Sequence, residues 1–248
     1  MEFKDHFSEQ SNLYSRYRPD YPRELFEFLF SVCERHDLAW DCATGNGQAA
    51  VSLAEKFARV VATDASEKQI GLARPHERIG YRVASAYESG LRDGSVDIVT
   101  VAQAMHWFDP AKFYSEVRRV LRPSGVIAIW GYGDPVLDTE PIQQVVHDYN
   151  RGTIERYWQP ERDLLLDEYR SIPFPFRKLA PPRLTMERWW TLDELTGYLR
   201  TWSATTAYAA EIGGDPVATV EADLLPHWGK KEERHLVRWP LFVRAGYP

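Results

Sequence analysis

Cysteine is nearly absent. Cys33 and Cys42 are too few for a disulfide framework and read as small apolar residues of a reducing compartment, so a cytoplasmic protein is expected. No apolar run approaches the roughly 20 residues that a membrane-spanning helix needs. The opening MEFKDHFSEQ is polar and carries no signal-peptide pattern. Positive charge is not in excess: the net charge is −6, which argues against broad binding to nucleic acid or to an anionic membrane. The seven histidines show no metal-ligand spacing, and no metal is expected. What the chain does have is 248 residues at 44% hydrophobic content, enough for one α/β unit with a full core. A monomer or homodimer is expected.

Apolar runs and helical patterns alternate along the first half. LAWDC, RVVATD, YRVAS, DIVTVAQ and GVIAIW read as five strands, with helical spacing in RELFEFLFSVCERH, GQAAVSLAEKF, SEKQIGLAR and DPAKFYSEVRRVL between them. Two further strands, RLTMERWW and RHLVRWPLFVRAGYP, bring the count to seven. The pattern predicts a single α/β domain over 1–248: a Rossmann-like, seven-stranded, mostly parallel sheet with helices on both faces. Its parts are an arm and first helix (1–36), a cofactor-binding core (37–130), a helical cap inserted after strand five (131–182) and a C-terminal completion of the sheet (183–248). Within the insertion, PIQQVVHDYNRGTIERYW has a helical pattern. TLDELTGYLRTWS, capped by Thr191 or Asp193, and DPVATVEADLLPHW follow as helices.

In such sheets ligands bind beyond the carboxyl ends of the strands. Asp41, Asp64, Ser85 and the run Gln103–Trp107 all fall there. The stretch DCATGNGQAA admits two readings. Gly45-Asn46-Gly47-Gln48-Ala49-Ala50 fits a dinucleotide fingerprint. Asp41-x-Ala43-x-Gly45-x-Gly47 fits acid-x-G-x-G-x-G with its first glycine replaced by Ala43. Asp64 suits the ribose of any adenosine-bearing ligand, so it does not decide. Asp41 does help: a carboxylate beside a pyrophosphate repels it but suits a cationic amino group or sulfonium.

RYRPDYP, DCATGNGQAA, ATDASEKQI, SVDIVTVAQAMHWFD and LTGYLRTWSA together resemble the class I S-adenosylmethionine-dependent methyltransferases, and more narrowly their trans-aconitate-methyltransferase-like branch. The resemblance implies S-adenosylmethionine as cofactor and direct methyl transfer to a small-molecule acceptor. It also implies roles for residues. Gly45, Asn46 and Gly47, with Ala43, let the backbone pass close to the methionyl part and the ribose. Asp41 faces the amino group and Asp64 the ribose hydroxyls. Ala65 and Gln69 flank one side of the adenine, Ser85 and Ala86 the other. Gln103 faces the sulfonium, and Tyr14 or Arg18 reaches the cofactor's carboxylate.

The acceptor side draws on other residues. His106 is the candidate general base, since an ordinary imidazole titrates near pH 6.5. His106, Trp107, Tyr132, Arg156, Trp158 and Trp202 are the expected acceptor pocket, roofed by the insertion, whose Arg151 and Arg156 favour a carboxylic acid and hence O-methylation. Six of the nine tryptophans follow residue 150; of these Trp189, Trp190 and Trp239 read as core. Two other readings stay open: an NAD(P)-dependent oxidoreductase, and a catalytically silent S-adenosylmethionine-binding protein.

Overall fold

The computed structural model describes residues 17–248. Helix α1 (Arg23–Val32) leads into strand β1 (Leu38–Cys42), and α2 (Gln48–Ala54), β2 (Arg59–Asp64), α3 (Glu67–Gly71) and β3 (Ile79–Val83) follow. Next come β4 (Val96–Ala102), a 3₁₀ turn (Met105–Trp107), α4 (Pro110–Val120) and β5 (Leu121–Tyr132). The insertion holds β6 (Val136–Leu137), α5 (Glu140–Asp148), a π turn (Tyr149–Thr153), a 3₁₀ turn (Glu155–Tyr157), α6 (Arg162–Leu166) and β7 (Arg177–Lys178). The chain closes with β8 (Leu184–Trp190), α7 (Leu192–Arg200), α8 (Ser203–Ile212), α9 (Val217–Trp228) and β9 (His235–Tyr247).

All strands join one sheet in the order β3-β2-β1-β4-β5-β9-β6, with β7 and β8 also on β9. Strands β1 to β5 pair parallel. Strand β9 runs antiparallel to its partners, and its length lets Leu241–Gly246 pair with β5 while His235–Leu241 pairs with β8. The strand order reverses at β1 and β4, which places the ligand crevice at their carboxyl ends. Alternation along the strands feeds two cores. On β5, Val126, Ala128 and Trp130 enter one cluster with α1, α2 and α7, whereas Ile127 and Ile129 enter the other with Phe113 and Val117 of α4. Helices therefore cover both faces, as the near-continuous apolar strands require. Among the described residues no helix is long and apolar enough to cross a membrane.

The sheet has nine strands among the described residues where seven are read from sequence; the two extra, β6 and β7, are two residues each and too short to carry a pattern. The helix expected over PIQQVVHDYNRGTIERYW breaks after Asp148, where the chain widens into the π turn around Gly152. Asn150 in that turn accepts a hydrogen bond from the Trp158 indole at 2.8 Å. Helix α8, SATTAYAAEI, has no apolar stripe to mark it in the sequence: its small residues bury only Ala204 and Thr205. Thr191, rather than Asp193, caps α7, in a reciprocal capping box with Glu194. Trp189 is a correction. It stands 57% exposed on β8, while its neighbour Trp190 points into the core, as strand alternation demands.

The turn from β1 to α2 is a run of left-handed residues: Ala43 at φ 54°, Gly45 at 56° and Gly47 at 85°. A Cβ at Gly45 would meet open space, whereas one at Gly47 would come within 2.3 Å of the Tyr81 hydroxyl. That hydroxyl is itself held by the Arg74 carbonyl at 2.8 Å. A second device fixes the loop after β3. Buried Glu116 on α4 accepts from the Ser89 N–H at 2.8 Å, the Ser89 hydroxyl at 2.5 Å and the Arg119 guanidinium. Burial alone would raise this carboxyl, but the bonds from Arg119 and Ser89 outweigh it and hold it down at about 2.

Two outcomes follow. Gly45→Ala should cost about 1 kcal/mol through its backbone angle alone, and Gly47→Ala about 2 kcal/mol because overpacking adds to it. Urea denaturation reads the order, and equal losses would remove Tyr81 from the account. Because the folded carboxyl of Glu116 lies below its ordinary value of 4.5, its stabilisation is full above that pH and fades as pH falls toward about 2. Acid-unfolding curves of Glu116→Gln and wild type should therefore converge only at about pH 2 and below.

Candidate active site

The glycine turn is tied to β2 by one carboxylate. Asp64 accepts from the Gly45 N–H through Oδ2 and from the Ser66 N–H through Oδ1, each at 2.9 Å. It thus fixes both turns that flank the crevice while remaining partly exposed to it. Asp41 lies beneath the glycine turn. It is 1% exposed and accepts from the Thr44 hydroxyl at 2.6 Å and the Thr100 hydroxyl at 2.7 Å. Burial pushes its carboxyl up to about 6, against the pull of those two hydroxyls. It braces the loop from beneath, because both of its oxygens already have partners inside the fold.

The remaining residues expected at the adenosine end share the same sheet edge. Ala65 and Ser85 are exposed just past β2 and β3; Ala86, Gln69 and Asn46 are partly buried. The Gln69 N–H caps onto the Ser66 hydroxyl at 3.3 Å, and the Ser85 hydroxyl accepts from the Tyr87 N–H at 3.1 Å. Tyr14 lies outside the described residues.

One edge further, a cavity of about 830 Å³, counted with its open mouth, lies past β4 and β5. Gln103, His106, Trp107, Tyr132, Trp158, Trp202 and Arg18 all line it. Gln103 adopts φ 55° and clamps the end of β5: its amide donates to the Tyr132 carbonyl at 3.2 Å and accepts from the Tyr132 N–H at 3.1 Å. The Tyr132 hydroxyl in turn accepts from Arg18 at 3.3 Å. Trp202 is 3% exposed, stacked on Tyr149 and packed at 5.6 Å from Trp158.

His106 is ordered by its neighbours. Its Nδ1 lies 2.8 Å from the hydroxyl of Tyr169, and its ring is 4.7 Å from that of Trp107. Burial pushes the imidazole down to about 4, so the ring is neutral at physiological pH and is a poor proton acceptor. The expectation of a base poised near neutrality is corrected by that burial.

Arg156 does not reach the cavity. Its side chain is 69% exposed and pairs with Glu211 at 3.2 Å, outside the roof. Arg162 stands there instead, its side chain 11% exposed, over the Trp158 ring at 4.0 Å and ion-paired with Asp134. The 3₁₀ turn at Glu155–Tyr157 and the extended Trp158 rotate the chain between the two arginines. Tyr198, Leu165 and Leu166 complete the apolar wall. The insertion is therefore packed over the strands' carboxyl ends, beside Gln103 and His106. Among the described residues no group of three or more His, Cys, Asp or Glu side chains is placed to hold a metal.

Residues 40–129 match the methyltransferase-domain family. Over 226 residues the chain is 35% identical to a Dictyostelium discoideum protein described as a methyltransferase, an alignment covering 90% of this chain and 86% of that one. A solved structure from Anaeromyxobacter dehalogenans, described as a type II methyltransferase, superimposes with a TM-score of 0.86 at 44% identity, over 93% of this chain and 97% of that one. A Haemonchus contortus phosphoethanolamine N-methyltransferase, solved with phosphomonomethylethanolamine and S-adenosylhomocysteine, shares the fold alone, at 16% identity and a TM-score of 0.52, over 100% of this chain and 61% of that one. By its sheet topology, its glycine turn and these relatives, the chain belongs to the class I S-adenosylmethionine-dependent methyltransferases.

Proposed function

We propose that this protein binds S-adenosylmethionine along the edge formed by β1, β2 and β3 and methylates a small carboxylic acid held in the neighbouring cavity. The observation that carries the reading is the cavity itself, an aromatic chamber with two guanidinium groups, Arg18 and Arg162, past the carboxyl ends of β4 and β5. The residues present fit the cofactor. Gly45 leaves its side of the turn clear, and the partly exposed Asp64 carboxylate can accept hydrogen bonds from ribose hydroxyls without losing the turn. When bound, S-adenosylmethionine supplies a methyl group on positively charged sulfur, which an anionic oxygen takes up with no proton to be removed.

The chain's own residues then have distinct tasks. Asp64 and the turn at Gly45 to Gly47 hold the adenosyl and methionyl parts. Arg18 and Arg162 fix an acceptor carboxylate, with Asp134 sharing the charge of Arg162. Trp107, Trp158, Trp202 and Tyr198 exclude water, which strengthens each of these contacts. Alignment of the two reactants by such a chamber can be worth roughly 7–11 kcal/mol of the barrier.

The reading is tested by ligand-dependent melting. S-adenosylhomocysteine should raise the melting temperature, with about 2.7 kcal/mol of stabilisation at a hundredfold excess over its Kd, whereas NAD and NADP should not. No shift at millimolar S-adenosylhomocysteine would overturn it, and a shift with NAD alone would restore the oxidoreductase. Asp64→Ala should weaken S-adenosylhomocysteine by about a hundredfold, the loss of two charge-assisted bonds at the low end of their range.

The acceptor side has its own check. Arg162→Met should lower kcat/KM for carboxylate acceptors by about 10- to 100-fold, equivalent to one charged hydrogen bond. Its S-adenosylhomocysteine affinity, measured by calorimetry, should stay within about twofold. A screen in which only neutral or cationic compounds are methylated would sink the carboxylate assignment.

A further inference from the structure

Tyr169 is wholly buried and touches His106, which lines the cavity. The backbone goes to some expense to put it there. Helix α6 ends with the Tyr169 N–H on the Leu164 carbonyl and the Glu168 N–H on the Leu165 carbonyl, the pairing of a Schellman cap. Such caps favour glycine, but here Glu168 and Tyr169 both take left-handed angles, φ 55° and 56°. Arg244 on β9 then holds the turn down, donating to the carbonyls of Tyr169 and Ile172. The Tyr169 ring packs edge-on against Phe242 at 5.1 Å.

The phenolic oxygen faces three groups. One is Nδ1 of His106 at 2.8 Å. The others are the backbone N–H groups of Met105 and His106, the first donors of the 3₁₀ turn, which pull the phenol's pKa down against its burial. A hydroxyl has two lone pairs and one proton. The phenol is wholly buried, and Nδ1 is the acceptor within reach of its proton. Were Nδ1 protonated instead, the buried hydroxyl would have no acceptor among the described residues for its own proton. Nδ1 of His106 is thus an acceptor, and a neutral imidazole in that state carries its proton on Nε2.

We propose that Tyr169 is a positioning residue that fixes His106 as the Nε2–H tautomer, so that the ring offers the cavity a hydrogen-bond donor and not a base. Together with Arg18 and Arg162, His106 then completes a set of donors around the acceptor. A molecule with a lone pair to present is held there. An alcohol, phenol or ammonium that must first lose a proton finds no group at His106 to take it. The substrate class is narrowed to acceptors already ionised before they bind. This rests on the methyl-transfer reading only for its consequence; the tautomer itself is a property of the free protein.

The test is a long-range ¹H–¹⁵N spectrum of the ring nitrogens in ¹⁵N-histidine-labelled, ligand-free protein, with His106→Gln identifying the resonances. Among the described residues, the charged and titratable groups around the ring are Tyr169 behind it and Arg18, Tyr132, Asp134, Arg162 and Tyr198 across the cavity. The expected result is an unprotonated Nδ1 and a protonated Nε2 at every pH between about 5.5 and 8, the range in which a free imidazole titrates. A proton on Nδ1, a mixture of tautomers, or titration within that range would overturn the proposal.

Tyr169→Phe should release the ring into a mixture of both tautomers, and an unchanged spectrum would overturn the role of Tyr169. If that variant does not fold, 3-fluorotyrosine labelling of the wild type keeps the ring and makes its hydroxyl a stronger donor. The Nδ1 resonance of His106 must then shift, and one that does not move counts against Tyr169. The S-adenosylhomocysteine melting shift reports the methyl-transfer reading separately, so either can fail alone.

Discussion

The amide of Gln103 is the joint on which both halves of the site depend. Strand β4 ends there, and the side chain turns sideways to take both hydrogen-bonding groups of Tyr132 on β5. The left-handed backbone at Gln103 costs roughly 1–2 kcal/mol, and two hydrogen bonds of about 1 kcal/mol each offset it. Glycine at 131 makes the joint possible, because a Cβ there would come within 2.7 Å of the Gln103 amide oxygen and 2.8 Å of Leu165. With the strand ends locked, the edge before β4 proposed for the cofactor and the cavity past β5 proposed for the acceptor keep a fixed distance. Methyl transfer is sensitive to that distance, since a misplacement of about 1 Å can cost a hundredfold in rate.

The carboxylate of Asp64 does the same for the cofactor edge. It binds one N–H in the turn after β1 and one in the turn after β2, so two loops that share no sequence neighbourhood move together. Its remaining exposure is what a ribose would use. Asp41, four residues before Gly45, serves this arrangement from below: the Thr44 and Thr100 hydroxyls neutralise the need for solvent, and the acid stays inside the fold.

How much of this could be read beforehand depended on whether the signal was local. LAWDC and RVVATD are strands to the residue, because both are buried on two faces and run directly into turns, the first past Asp41 and Cys42 and the second at Asp64. The glycine turn was legible from Gly45 and Gly47 for the same reason: left-handed angles leave a mark on residue type. The replacement of the motif's first glycine by Ala43 was also legible, though not that Ala43 itself takes φ 54°. The cavity residues past β4 were legible from position alone. What stayed hidden was the phase of the insertion. Arg156 and Arg162 are six residues apart, and the 3₁₀ turn and the extended Trp158 lie in that interval, with the π turn ending at Thr153 before it. No single period survives such a path, so the side facing the cavity cannot be counted out from a neighbour. Asp134 and Tyr198 escaped for a related reason, since each reaches the cavity only through tertiary packing. Tyr169 left no mark at all: tyrosine is an ordinary core residue, and its left-handed backbone favours glycine rather than announcing a phenol.

The placement of strain ties these observations together. Among the described residues, the non-glycine positions with left-handed φ are Ala43, Gln103, Glu168 and Tyr169. The first sits in the cofactor turn, the second at the joint between strands, and the last two behind His106. Elsewhere in the described chain such angles fall on glycine, where they cost little. A fold selected only for stability would have put glycine at these four positions as well. Each instead carries a side chain that the site uses or a turn that the site shapes, and the surrounding structure holds it by hydrogen bonds or packing: Gln103 to Tyr132, Tyr169 beneath Arg244, Ala43 beside the loop braced by Asp41. Strain of this kind persists only where neighbours over-determine the geometry. The rigidity of the chamber and the neutrality of His106 then have one origin. Both follow from packing Tyr169 and the roof closely against the imidazole, which leaves the ring half-buried and neutral, its Nδ1 turned to the phenol and hydrogen-bond donation the chemistry it can offer the cavity.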